Sequence, residues 1–245
     1  RRRALLGHIG KTEQKTSLRP AAERKAIDSP IERFDSGKIS DDTLEANLFF
    51  LLLAGYETTA NTLAALFYYL AANQRVQEQL RQSMANEDGE QSQYLDWVLQ
   101  ETLRLLPAVP VAVGRVLEHD IEHESQKLFK GTTVVADIWS IHRWPEYWVS
   151  SAASTKASNS NDNRLREPDD LEQFRPERFG EPAPEGVPAA RYFAFGIGPR
   201  YCIGQNLAIS EIKCIVKRVL VKYRVSLCES SPEKINAISP NFVHY

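Results

Sequence analysis

From Leu48 to Ala72 the chain reads LFFLLLAGYETTANTLAALFYYLAA, 25 residues with a single charged side chain. A run so long and so apolar has two physical solutions: it crosses a bilayer, or it is a helix covered by protein. Glu57, Thr58, Thr59, Asn61 and Thr62 gather at its centre, where polar groups cost most in lipid. That placement fits a buried central helix with a functional site better than a membrane span. Ser40, Asp41 and Asp42 supply cap chemistry and N-terminal negative charge, so the helix is predicted from there to about Ala71. Roughly 30 residues at ~1.5 Å each would cross about 45 Å, the width of a substantial domain.

Around this helix the pattern is mixed but mainly helical. Residues 1–39 are a polar, charge-rich lead-in, with a short helix expected near Ala21–Ala26 and a turn at Ser36-Gly37-Lys38. A second helix is predicted from Asn73, with Val76, Leu80 and Met84 at four-residue spacing, broken by Asn86-Glu87-Asp88-Gly89. A third is predicted over Tyr94–Leu106 and ended by Pro107. Val111–Leu117 and Thr133–Ile138 read as strands, with Lys130-Gly131 turning between them. Ser150–Asn163 is low-complexity, a surface loop or disordered insertion, and Glu167–Pro188 reads as a proline-rich extended meander. Residues 40–245 are expected to belong to one domain.

A second feature carries chemistry. Phe195-Gly196-Ile197-Gly198-Pro199-Arg200-Tyr201-Cys202-Ile203-Gly204 is a glycine-rich loop feeding a helical pattern at Ile203, Leu207, Ile212, Ile215, Val216 and Val219. The glycines let the backbone turn sharply and approach a flat ligand. A cysteine at the start of a helix meets free N–H groups and positive partial charge, which suit an anionic sulfur. Arg200 adds a cation that can serve the carboxylates of a ligand, and Phe195 can shield the sulfur from water. The bland alternative, a buried structural cysteine near a turn, leaves the rest of this pattern unexplained. The three cysteines, Cys202, Cys214 and Cys228, form no CxxC pair, which speaks against a disulfide framework or a zinc knuckle. Cys214 reads as inert core. A zinc or nucleophile role for Cys202 lacks a partner His or Cys at suitable spacing. The net charge of −2 gives no argument for nucleic acid.

Three further patterns precede the loop. Ala54-Gly55-Tyr56-Glu57-Thr58-Thr59 lies mid-helix, where Gly55 leaves room beside the backbone and Glu57 with Thr58 places an acid beside a hydroxyl, a relay for protons. Against this stands a threonine bonding back to its own helix carbonyl. Glu101 and Arg104 share a helix face at i, i+3, a pairing too common on surfaces to mean much alone. Pro176-Glu177-Arg178-Phe179 brings a second arginine; if Arg178 reaches the pair, the three form a buried clamp.

Taken together and in this order, the four patterns resemble one family, the haem-thiolate monooxygenases or cytochromes P-450. The loop matches the family's F-x-x-G-x-R-x-C-x-G at every fixed position, through Phe195, Gly198, Arg200, Cys202 and Gly204. The resemblance runs from about Ser40 to Tyr223. It implies a mainly α fold with small β-sheets, incomplete here, from the central long helix to the haem loop and the helix after it. Departures are Ala194 where a proline is usual, Trp144 where an aspartate is usual after His142-Arg143, and the 150–163 insertion. Family domains are much longer, so the chain is expected to be the C-terminal half, truncated at both ends.

The resemblance also implies roles. Cys202 is the proximal ligand of haem b, iron protoporphyrin IX, and Arg115 and Arg200 pair with its propionates. Glu57 and Thr58 support oxygen activation, and Glu101, Arg104 and Arg178 are a structural triad. Leu51, Ala54, Gly55, Val109, Val111, Ala112 and Val113 line part of an apolar pocket for a small lipophilic substrate. The intact enzyme would insert one atom of O2, with electrons from NADPH through a reductase or ferredoxin. It would sit on the cytosolic face of the endoplasmic reticulum through an N-terminal anchor this chain lacks. Two alternatives stay open: a haem-thiolate isomerase or dehydratase acting on a peroxide, and a non-catalytic fragment.

Overall fold

The computed structural model describes residues 33–86, 92–124, 126–148, 169–181 and 191–228. The expected helix at Ala21–Ala26, the 150–163 insertion and the end of the chain after Cys228 lie outside the described residues. Contacts gather into two units, residues 1–57 and 58–245.

In the first unit the chain turns at Gly37, whose φ of 68° is left-handed, with Gly37 N–H donating to Phe34 O and Lys38 N–H to Arg33 O. Ser40 then opens α1 (Asp41–Ala72) as its pattern predicts. Its hydroxyl accepts from Thr43 N–H at 3.3 Å, and its carbonyl takes the first helical bond, from Leu44 N–H at 2.9 Å. Phe49, Phe50, Leu52 and Tyr56 are exposed. Among the described residues no helix is long and apolar enough to cross a membrane.

The second unit holds the core. The C-terminal part of α1 contributes Leu66 and Leu70. The helix α2 (Gln74–Asn86) adds Val76, Leu80 and Met84, and α3 (Gln93–Leu105) adds Tyr94, Leu95, Val98, Leu99 and Leu103. Ile212, Val216 and Leu220 complete it from α7 (Gln205–Lys222), the last described helix. Spacings of three and four put each set on one helical stripe, so four helices close on one another. Leu66, Leu70, Leu80 and Leu95 lose all solvent exposure, and each such burial contributes about 1.5–3 kcal/mol. Gln77 ties the C-terminal end of α1 into this core. Its Nε2 donates to Leu70 O and Val225 O, and its Oε1 accepts from Val225 N–H at 3.0 Å. A free carbonyl at a helix end is thereby satisfied. Ser92 caps α3, its hydroxyl accepting from Leu95 N–H.

The sheets are smaller than predicted. Of the two expected strands only β1 (Arg115–Val116) and β4 (Thr133–Val134) form regular structure, paired antiparallel with Arg115 opposite Val134. A bridge from Val111 to Asp137 extends the pairing. Ile138 does not continue the strand. Asp137 caps the short helix α4 (Ile138–Ile141), accepting from Ser140 N–H at 3.0 Å and Ser140 Oγ at 2.7 Å, and the chain leaves the sheet there. A second hairpin, β2 (Ile121–His123) with β3 (Gln126–Leu128), intervenes before the Gly131 turn. Each strand has one apolar residue, Ile121 or Leu128, too few to make an alternation, so no pattern announced it. The meander is also more helical than expected. After α5 (Pro145–Trp148) come α6 (Asp169–Glu172) and a 3-10 turn over Pro176–Phe179.

Candidate haem-thiolate site

The glycine loop folds from its own backbone. Gly196 and Gly198 take left-handed φ values of 71° and 70°, which a side chain would strain. Gly196 N–H donates to Phe193 O at 2.8 Å, a 3-10 turn spans Gly198–Arg200, and Tyr201 N–H closes it onto Gly198 O. Cys202 N–H reaches back to Phe195 O at 2.8 Å, drawing the loop shut. The helix starts later than predicted: α7 begins at Gln205, with Gly204 at its N-cap, so Cys202 precedes its first turn. The N–H of Cys202 is committed to Phe195 and is no free helix-terminal donor. Cys202 is exposed, and Cys214 is half-buried rather than fully interior. Arg200, Tyr201, Ile203 and Leu207 are exposed around the cysteine, Ile203 at 76%. Phe195 is partly buried and packed against the core. A Cβ at Gly204 would come 3.9 Å from Cys202 Sγ, an ordinary contact, and one at Gly198 would meet nothing within 4 Å.

A buried ion network is linked to the root of the loop through His142. Arg104 Nε donates to Glu101 Oε2 at 2.7 Å and Arg104 Nη2 to Glu101 Oε1 at 3.0 Å. Arg178 Nε donates to the same Oε1 at 3.0 Å, and so does the backbone N–H of Arg175. Arg104 also donates to Leu171 O at 2.7 Å and His142 O at 3.1 Å. Glu101 and Arg104 have no exposure, and Arg178 has 5%. The pair that looked like a common surface i, i+3 contact is the interior knot joining α3 to the meander. Trp148 packs near it, with the Arg104 guanidinium 5.4 Å from its ring centroid.

The model of the cytochrome P450 family matches residues 8–154 and 168–244. The chain belongs to the cytochrome P450 family. It is 31% identical to cytochrome P450 3A6 of Oryctolagus cuniculus over 211 residues, which cover 82% of this chain and 38% of that protein. It is 34% identical to cytochrome P450 3A12 of Canis lupus familiaris over 211 residues, 81% of the chain and 38% of the relative. It is 32% identical to putative cytochrome P450 CYP13A3 of Caenorhabditis elegans over 191 residues, 74% and 33%. The chain thus spans less than two fifths of the length of these three curated relatives.

A P450 implies haem, and the donor set around Cys202 fits one. Among the described residues no group of three or more His, Cys, Asp and Glu side chains could hold a metal ion. A porphyrin, which brings its own four nitrogen ligands to the iron, asks the protein for a single donor such as this exposed thiol. Arg200 on the loop and Arg115 at the head of β1 are exposed cations of the kind that carboxylates pair with.

The remaining predicted residues are placed as follows. Glu101, Arg104 and Arg178 come together directly. Val109, Val111 and Val113 are exposed on the segment between α3 and β1, with Ala112 half-buried and its N–H donating to Ala136 O at 2.9 Å. Within residues 1–57, Ala54, Gly55 and Glu57 are exposed on α1 and Leu51 is half-buried; a Cβ at Gly55 would meet no atom within 4 Å. Thr58 is half-buried, and its carbonyl accepts from Thr62 Oγ1 at 2.8 Å, a threonine bonding back to its own helix.

Sequence reasoning missed two participants. His142 entered only as a landmark beside Trp144, yet it is completely buried between the network and the loop. Glu177 lies inside the four-residue meander motif, and its Oε1 accepts from Tyr94 Oη at 3.1 Å and Arg75 Nη1 at 3.2 Å, tying the meander to α2 and α3. No periodicity marks either residue.

Proposed function

We propose that the protein containing this chain is a haem-thiolate monooxygenase that inserts one oxygen atom from O2 into a small lipophilic substrate. The observation that carries the reading is Cys202: one exposed thiol, on a loop shaped by Gly196 and Gly198, in a member of the P450 family. Bound there, a haem with a thiolate ligand supplies electron density that favours O–O cleavage and oxygen transfer. Cys202 would hold the iron, Arg115 and Arg200 would pair with the propionates, and the glycines would let the ring approach the backbone. Phe195, the first residue of the loop and partly buried, would keep water from the sulfur. Glu57 and Thr58 would hold and pass protons, the carboxyl as acid and the hydroxyl as relay. The apolar side chains of Leu51, Val109, Val111 and Val113, with Ala54, Gly55 and Ala112, would favour a lipophilic substrate. A NADPH-dependent reductase or a ferredoxin would supply electrons, and the cytosolic face of the endoplasmic reticulum is the setting that suits such a partner.

The test is spectroscopic. The full-length protein that contains this chain, haem-loaded and reduced under CO, should show the absorption band typical of thiolate ligation, and Cys202→Ser should abolish it. A band retained in that variant sinks the assignment. Turnover with NADPH and reductase, set against turnover of a lipid hydroperoxide without them, separates monooxygenase from isomerase.

One observation favours a second reading for the 245 residues alone. Cys202, Arg200 and Arg115 are all exposed, as are Phe49, Phe50 and Tyr56 of α1, an apolar surface of the kind that invites aggregation. The chain by itself is then expected to bind haem weakly and without turnover. Tight one-to-one haem binding with substrate turnover by the 245-residue chain would overturn this.

A further inference from the structure

His142 has no solvent exposure and no place in the chemistry proposed above. Its surroundings nevertheless connect both regions of the site. Its backbone carbonyl accepts from Arg104 Nη1 at 3.1 Å, so its main chain is held by the ion network. Its ring stacks on Tyr192 with centroids 5.3 Å apart and planes 7° from parallel, and meets Trp148 edge-on at 6.5 Å. Its Nε2 accepts a hydrogen bond from the backbone N–H of Phe193 at 2.9 Å. Phe193 in turn opens the glycine loop. Its carbonyl accepts from Gly196 N–H, and two residues on, Phe195 O accepts from Cys202 N–H, both at 2.8 Å.

We propose that His142 is a positioning residue for the thiolate loop, its neutral Nε2 acting as the acceptor that fixes where the loop leaves the network. The chemistry follows from the hydrogen-bond directions. A main-chain N–H at the root of the loop needs an acceptor, and a buried one left without it carries the full desolvation penalty. An imidazole accepts through one nitrogen only when neutral, so Nε2 must be unprotonated and the ring proton sits on Nδ1. Burial keeps the imidazole neutral, the positive charge of Arg104 reinforces this, and the pKa falls from the ordinary 6.5 to about 4. Backbone groups of Arg104 and Leu103, at the carbonyl-rich end of α3, pull weakly the other way. The stacked Tyr192 ring holds the imidazole plane, and with it the direction of the Nε2 lone pair.

The inference rests on the proposed function only in taking Cys202 as the working end of the loop; the hydrogen bond itself does not depend on haem. Two variants of the full chain test it by amide hydrogen exchange. His142→Phe keeps a flat ring to stack on Tyr192 and removes the acceptor. His142→Gln removes the ring but can offer Oε1 near the position of Nε2. In His142→Phe the amides of Phe193, Gly196 and Cys202 should exchange about tenfold faster, while those of α3 keep their protection. In His142→Gln the loop amides should stay within about threefold of the parent. Unchanged loop exchange in His142→Phe overturns the proposal, and so does acceleration that is equal in the loop and α3. Should His142→Phe fail to fold, His142→Gln decides alone: loop protection retained supports the acceptor role, and loop protection lost refutes it. A failed CO spectrum of the full-length protein with these exchange results intact would count against the haem assignment and not against His142.

Discussion

Arg104 and Arg200 are both arginines set in short sequence motifs, and the fold gives them opposite surroundings. Arg104 is without solvent exposure, its guanidinium shared among Glu101, the Leu171 carbonyl and the His142 carbonyl. Arg200 is exposed on a 3-10 turn two residues before an exposed thiol. Removing a guanidinium from water is tolerable only where protein atoms replace its hydration completely, so a network such as Glu101–Arg104–Arg178 must close on itself as the chain folds. The loop follows another rule. The N–H groups of Gly196, Tyr201 and Cys202 are paired with carbonyls of the loop and its root, while Arg200 and Cys202 stay exposed, and in the proposed function they meet a non-protein partner. The first region concerns how this chain packs; the second, in the proposed function, concerns what it binds.

The sharpest way to break that comparison is to open the network. Glu101→Ala leaves Arg104 and Arg178 buried without their carboxylate, and the backbone N–H of Arg175 without its acceptor. The expected loss is about 3–5 kcal/mol, read as a fall in the denaturant midpoint. A loss below about 1 kcal/mol would mean the network behaves as an exposed surface pair does.

Acid should strain the same region through His142. The unfolded chain takes up this proton near the ordinary 6.5, the folded chain only near 4. Its neutral ring therefore costs the fold nothing above pH 6.5, and stability is lost as pH falls from there to about 4, where the loss levels off. That gap corresponds to something on the order of 3 kcal/mol. Urea unfolding at several pH values, compared with His142→Gln, isolates the contribution from that of the carboxylates. An equal pH slope in parent and variant would contradict it.

A smaller effect tests the junction between α3 and the end of the meander motif. At Gly180, just after Pro176–Phe179, a Cβ would collide with the Trp97 ring. The backbone there is not left-handed, at φ −89°, so the requirement is space and not conformation. Gly180→Ala should cost about 1–3 kcal/mol by overpacking, and Gly180→Ala with Trp97→Leu should recover part of it in thermal unfolding.

What could be read from the sequence divides along the same lines. The core helices were legible because Val76, Leu80 and Met84, or Ile212 and Val216, repeat at spacings that only a helix places on one face, although Ile203, Leu207 and Ile215 of the expected last stripe are exposed and Leu220, outside it, joins the core. The loop was legible because left-handed backbone demands glycine and the chemistry demands cysteine. The hairpin Ile121–Leu128 was not, since Ile121 opposite Leu128 is its one apolar pair and the other two pairs, Glu122 with Lys127 and His123 with Gln126, are polar. The start of α7 was misplaced by a few residues because the Cys202 N–H bonds backwards to Phe195, a contact no local pattern encodes. His142 was invisible for a related reason. Its partners, Arg104 and Phe193, lie 38 and 51 residues away, and nothing in a local window reports a bond of that range.

The smallest effect on stability should come from the residue with the largest effect on function. Cys202→Ser replaces one exposed sulfur with oxygen and leaves untouched the hydrogen bonds that shape the loop, the main-chain ones of Gly196, Tyr201 and Cys202 and the one from Phe193 N–H to His142 Nε2. Exposed substitutions away from caps, cores and networks usually stay within about 0.5 kcal/mol, so the unfolding midpoint should not move. The ferrous–CO band should nevertheless vanish, because a serine oxygen cannot give iron the electron density a thiolate does. The opposite pairing is expected at Glu101, which lies in the buried network and supports the fold. If Cys202→Ser destabilised the chain as much as Glu101→Ala, the loop would be a packing element after all, and the contrast between Arg104 and Arg200 would lose its meaning.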